Sequence, residues 1–233
     1  MGDKGIPEGT GARITPGSDK KIPQAPRHIV AVDTALLTID VERRQLMVVE
    51  SQRTDTGKWV LPGTFLLDRE TLSAAVERCL RDKLGVVGIH PQRLGVLDDP
   101  NRDDRDRVIS VAHVAVVRRE QLESLGEGEY PTRLTPVDRP GELMWDHPEI
   151  VRLAKHHVRS RYEGEPDPDR LLGRLFTLPE LQQVHEAVAG ETLDRYRFRR
   201  KMDDLVVGTD SHKAPAGNLG RPAELFRRKR EGE

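Results

Sequence analysis

Cys79, Asp82 and Lys83 are spaced i, i+3 and i+4, so on a helix they share one face. Carboxylates at such a spacing converge on a divalent cation, because Mg²⁺ requires oxygen ligands in near-octahedral geometry. Here the residue types do not suit the spacing. A thiol is a soft ligand poorly matched to Mg²⁺, and Lys83 puts a cation where the metal belongs. Only Asp82 is left as an acid on that face. Cleaving a phosphoanhydride needs a metal to clamp oxygens and activate water, so this helix is expected to bind rather than hydrolyse. Lys83 has two readings: an ammonium that helps hold a phosphate-bearing ligand, or a solvated lysine at the negative end of the helix dipole. Glu70 and Arg78 either frame the same pocket or make an ordinary surface pair.

Further along, "DDPNRDDRDR" offers Arg102, Arg105 and Arg107, of which at least one is expected to pair with its acidic neighbours. Arg53 precedes the helix as another possible contact, and Trp59 is assigned to the core. The candidate ligand residues are thus Arg53, Gly63, Thr64, Glu70, Arg78, Asp82, Lys83, Arg102 and Arg105. No catalytic residue, metal ligand or required cofactor is assigned.

A second constellation lies near the C-terminus. "RYRFRRK" carries Arg195, Arg197, Arg199, Arg200 and Lys201, interleaved by Tyr196 and Phe198. Residues 191–233 hold 11 Lys/Arg against 8 Asp/Glu, a surplus of three, whereas the whole chain has a net charge of −1. Any nucleic-acid surface is therefore local. A cationic helix of this kind contacts phosphates and reads base edges in a groove; a merely solvated face is the plain alternative. On helical spacing Tyr196, Arg199 and Arg200 share a face, while Phe198, Met202 and Leu205 form the core side. Arg221 and Arg228, in the segments that follow, and Thr177, which opens the preceding helix, complete the DNA-contact candidates.

The elements that must position these groups follow from pattern. Residues 1–27 are rich in Gly, Pro and Lys and read as a disordered tail. From residue 28 to 147, "IVAVDTALLTID", "RRQLMVVESQR", "KWVLP", "RLGVLDD" and "RVISVAHVAVV" read as strands around a helix from Glu70 to Leu84 stopped by Gly85. This is an α/β (α+β) domain with a mixed sheet. Residues 148–233 begin with a linker helix, "EIVRLAKHHVRSRY". Two short helices then join through a Gly-containing turn, Thr177 capping the first, Gly190 ending it and Thr192 opening the second. Two short strands with a Gly/Pro/Asn loop make a wing. No run approaches the roughly 20 apolar residues of a membrane span, and the single cysteine suits a reducing cytoplasm.

Residues 64–86 resemble the Nudix box. Glu70, Arg78, Leu80, Gly85 and Val86 hold their places, Thr64 replaces its first glycine, and the three helical acids fall at Cys79, Asp82 and Lys83. "LFTLPELQQVHEAVAGETLDRYRFRRKM" and "GRPAELFRR" resemble the C-terminal part of the Nudix-related transcriptional regulators called NrtR, and "WVLPGTF" and "DPNRDDRDRVISVAH" resemble their effector domain. The resemblance implies a degenerate Nudix-like effector domain followed by a small winged helix-turn-helix. It also implies a homodimeric bacterial repressor of NAD-metabolism genes that binds a palindromic operator in double-stranded DNA and responds to ADP-ribose. Two rivals stand beside it: an active Nudix pyrophosphatase on ADP-ribose-like substrates, and a module whose basic C-terminus contacts RNA or protein.

Overall fold

The structure, a computed structural model, describes residues 28–123, 125, 130–214 and 222–229. The expected tail 1–27 and the candidate Arg221 lie outside the described residues.

The sheet is organised by β1 (Ile29–Asp40), an almost unbroken apolar run buried on both faces. It pairs parallel with β6 (Val108–Val116) and antiparallel with β2 (Gln45–Gln52) and the short β4 (Gly63–Phe65). β3 (Trp59–Val60) and β7 (Thr132–Pro136) pair with β2, and β5 (Gln92–Leu97) pairs with β6. The mixed sheet agrees with the expected fold class. β4 and β7 are additions to the expected strands: one has three residues, and the other ends in a proline, which weakens a strand signal.

Alternation along β1 divides the core in two. Val32 and Leu36 face α1 (Leu72–Leu84), where they meet Ala75, Val76, Leu80 and Leu84. Ala35, Leu37 and Ile39 face the other way, toward Ile150, Val151, Ala154 and Val158 of α2 (His147–Gly164). The helix expected as a linker therefore packs on the sheet. Val184, Ala187 and Val188 of α3 (Leu178–Ala189) join that same cluster.

α3 and α4 (Arg195–Met202) enclose a smaller core of Phe176, Leu181, Phe198, Met202 and Val206. β8 (Val206–Lys213) and β9 (Ala223–Arg228) form an antiparallel wing, and Phe176 bridges to Phe226 at its base. Local signals explain the helix ends. Thr71, Thr177 and Asp194 each accept a backbone N–H as N-caps, and Gly85 and Gly190 close α1 and α3 at φ 68° and 78°. α1 begins at Leu72, so Glu70 stands just before the helix rather than within it.

Candidate functional site

A cavity of about 220 Å³ opens between β1, β4, the C-terminal half of α1, the loop at 102–105 and the approach to α2. At its base lies Asp33, the one charge in the middle of the apolar β1 run. Its Oδ2 accepts from Ser110 Oγ at 2.6 Å and lies 3.4 Å from Arg102 Nη2. Burial opposes its ionisation; His147, Ser110 and Arg102 favour it, and the balance holds its pKa at about 2. The backbone N–H of Leu61 donates to His147 Nδ1 at 2.8 Å, and His147 Nε2 lies 3.6 Å from Asp33 Oδ1. Gly63 fits because it has no side chain: a Cβ there would stand 2.0 Å from Asp33 Oδ1.

Arg102 is buried, and Asp146 grips its guanidinium through Nε at 2.7 Å and Nη2 at 2.6 Å. Arg105 is held in the same bidentate way by Asp103 and stacks 4.5 Å from the Trp145 ring centroid. Arg53 lies over the same ring at 5.5 Å and pairs with Asp55. Trp145 has a left-handed backbone (φ 55°), and its Nε1–H donates to Asp104 at 3.1 Å. Such strain in a residue other than glycine persists where the surroundings fix it, often beside a binding site. Lys83 reaches into the cavity wall, donating to the Gly63 carbonyl at 2.6 Å with the Tyr130 ring 5.3 Å away.

Arg53, Gly63, Thr64, Lys83, Arg102 and Arg105 of the candidate set therefore line one cavity. Three others do not. Glu70 and Arg78 form a bidentate pair at 2.8 and 2.9 Å; Arg78 also donates to Thr64 Oγ1 and to the Phe65 carbonyl, while Glu70 accepts from the Leu67 N–H. The pair clasps β4 to α1, and Arg78 with the Leu67 N–H holds the Glu70 pKa at about 2. Asp82 is exposed and turned to Arg81, so it is not on the pocket side as expected. Cys79 is buried in the core, where desolvation pushes its thiol up to about 11. The three positions thus diverge, because α1 turns one inward, one outward and one along the cavity. Among the described residues no group of three His, Cys, Asp or Glu side chains is placed to hold a metal ion.

Sequence reasoning missed Asp33, Ser110, Trp145, Asp146 and His147. Asp33 had a signal, a lone acid inside a long apolar strand. The others had none, since only folding brings them to it.

The basic constellation divides as well. Arg195, Arg197, Arg199, Arg200 and Lys201 are all exposed on α4, with Phe198 and Met202 buried beneath them. Among the described residues none of the five has a carboxylate partner. Tyr196, 73% exposed, and Arg200 stand opposite the core side. Arg228 is different: it turns inward to the fully buried Asp167, donates to the carbonyls of Pro166, Leu172 and Gly173, and lies over Phe176. It ties the wing to the chain before α3, which corrects its assignment as a DNA contact. Thr177 is likewise buried, its hydroxyl and backbone engaged with Glu180 in a capping box.

The two units meet through side chains. Arg44, in the turn after β1, pairs with Glu186 of α3 at 3.2 Å and donates to Thr192 Oγ1 at 2.9 Å. Glu186 also accepts from the Leu193 N–H and from Gln182, so one carboxylate joins the sheet to the α3–α4 turn.

The Nudix domain model matches residues 30–157, more than half of the chain, and the NrtR DNA-binding winged helix model matches 169–228. The chain belongs to the Nudix-related regulators of the NrtR type. Among relatives of this NrtR-type chain, the ADPR responsive transcriptional repressor NtrR of Acinetobacter baylyi is 28% identical over 87% of this chain and 82% of that protein. The Shewanella oneidensis NrtR solved with a 27mer DNA superposes with a TM-score of 0.69 at 28% identity, covering 86% of this chain and 93% of that one. An ADP-ribose pyrophosphatase of Methanocaldococcus jannaschii is 28% identical over 53% of this chain and 70% of that protein. No described helix is long and apolar enough to cross a membrane.

Proposed function

We propose that this protein is a cytoplasmic bacterial transcriptional repressor of NAD-metabolism genes whose DNA affinity is set by ADP-ribose. The observation that carries the reading is the α4 face: five exposed cations without carboxylate partners among the described residues, beside an antiparallel wing. Its support is that the NrtR solved with DNA matches along both units. Arg195, Arg197, Arg199, Arg200 and Lys201 meet phosphates and base edges of a palindromic operator, one α4 from each protomer of a homodimer. Arg221, which lies outside the described residues, is proposed as a further contact from the sequence resemblance alone.

In the effector unit, which we extend through α2, the Asp33 cavity takes the charged middle of ADP-ribose. Arg105, Trp145 and Arg53 offer a stacked surface at its mouth for the adenine or ribose. The site binds without hydrolysing, because Cys79 is a buried neutral thiol, Asp82 faces solvent and Lys83 is a cation. Ligand and DNA are coupled reciprocally: whatever factor ADP-ribose takes from DNA affinity, DNA takes from ADP-ribose affinity. The Arg44–Glu186 contact and the shared packing of α3 are the physical connection.

Fluorescence anisotropy of a labelled duplex from upstream of the protein's own gene, titrated with and without ADP-ribose, tests this. The expected result is tight, salt-sensitive binding that ADP-ribose weakens. Failure to bind that duplex or other promoter duplexes, together with release of AMP from ADP-ribose, overturns it in favour of the pyrophosphatase.

A further inference from the structure

The Nudix pattern brings phosphates to its helix through a divalent cation, and the residues present here do not fit one. Cys79 is sealed in the core, Asp82 pairs outward with Arg81, and Asp33 is already engaged by Ser110, His147 and Arg102. What faces the cavity from α1 is the ammonium of Lys83. Its situation differs from that of every other cation in the wall. Arg53, Arg102 and Arg105 are each matched to a carboxylate, Asp55, Asp146 and Asp103. Lys83 has a backbone carbonyl and a ring face, and among the described residues no carboxylate lies within ion-pair distance. A half-buried ammonium so placed has no carboxylate matched to it among the described residues and has donors left over from its hydrogen bond to Gly63.

We infer that Lys83 Nζ is a built-in replacement for the metal: the cavity takes a diphosphate directly on this ammonium, with no divalent cation. The inference deepens the effector reading above and rests on it for the identity of the ligand, though not for the diphosphate chemistry. Gly63 completes the arrangement, since its carbonyl orients Nζ and its missing side chain lets the Asp33 carboxylate pack against the backbone of β4. Asp33 keeps a different part. Paired with Arg102, it fixes the guanidinium and repels any anion that enters too deeply, so phosphate is confined to the Lys83 side.

Isothermal titration of the full-length protein with ADP-ribose, and separately with inorganic pyrophosphate, tests the inference in EDTA and in excess Mg²⁺. Wild-type affinity for ADP-ribose is expected to agree within about twofold between the two buffers. Lys83→Met should weaken it on the order of tenfold or more, and Lys83→Arg should restore much of the loss. Binding that requires Mg²⁺ overturns the inference and leaves the effector reading standing. So does a folded Lys83→Met variant with wild-type affinity. Pyrophosphate binding that depends on Lys83 without ADP-ribose binding supports the inference and removes that effector; binding of neither ligand overturns both. If Lys83→Met does not fold, the wild-type comparison between EDTA and Mg²⁺ decides.

Discussion

The chain has two cationic regions, and they are built in opposite ways. Around the cavity Arg53, Arg102 and Arg105 are each fastened to a carboxylate, and two of them, Arg53 and Arg105, lie over the Trp145 ring. On α4 five cations stand in solvent with no such partner among the described residues. The difference reflects what each must bind. A small ligand offers few contacts, so affinity depends on groups already held in place and paying little ordering entropy. A DNA duplex offers a line of phosphates with a condensed counterion layer, and mobile surface cations gain affinity by releasing those ions. Lys83, the cavity-wall cation without a carboxylate partner among the described residues, is the exception that marks where an anion is received.

Breaking the comparison is most direct at Arg102. Replacing it with alanine leaves Asp33 buried without its guanidinium, and urea denaturation should show a loss of about 3–5 kcal/mol. Reversing two charges on the free face, Arg199→Glu with Arg200→Glu, should leave stability within about 0.5 kcal/mol. DNA affinity measured by anisotropy should nevertheless fall on the order of a hundredfold. A drop in stability as large as that of the Arg102 variant would mean that the α4 cations are held like those of the cavity.

The pH response sharpens the same contrast. Asp33 has a folded-state pKa of about 2, below the ordinary carboxylate value. The stability it contributes is therefore complete above about pH 4 and is lost as pH falls through about 2. Asp33→Asn should cost about 2 kcal/mol at neutral pH and flatten that acid limb, as followed by urea titrations across pH 2–5. A small effect on stability is also expected at the junction. Arg44 is about half exposed, so Arg44→Ala should change folding by less than about 1 kcal/mol. Its consequence is in coupling: ADP-ribose should weaken DNA binding less than it does in the wild type, while each affinity measured alone stays near its original value.

How far these features could be read beforehand depended on whether their causes were local. The ends of α3 and the stop of α1 were legible because their signals lie within a few residues of the helices they bound: Thr177 with Glu180, Gly85 and Gly190; α4 was expected to open at Thr192, and the structure caps it with Asp194 instead. The strands of the sheet were legible from apolar runs, and β4 and β7 were not, being short or ended by proline. Charge content on α4 was legible too, since Phe198 and Met202 by their spacing set the opposite side outward. Direction was not. Arg228 has the same side chain as Arg200, yet one is drawn inward by the buried Asp167 and the other is left in solvent.

Composition and spacing alone were thus enough to establish two units, a helix stripped of metal-binding acids and a basic helix beside a wing, because each is a property of neighbouring residues. The pocket was decided by the fold. Parallel pairing of β1 with β6 brings Ser110 to Asp33, and the docking of α2 on the sheet delivers His147 to the same carboxylate and Asp146 to the Arg102 guanidinium beside it. Those groups are far apart along the chain and carry no shared pattern. Whether a charge is paired, buried or free depends on the partners that tertiary packing puts within a few ångströms of it.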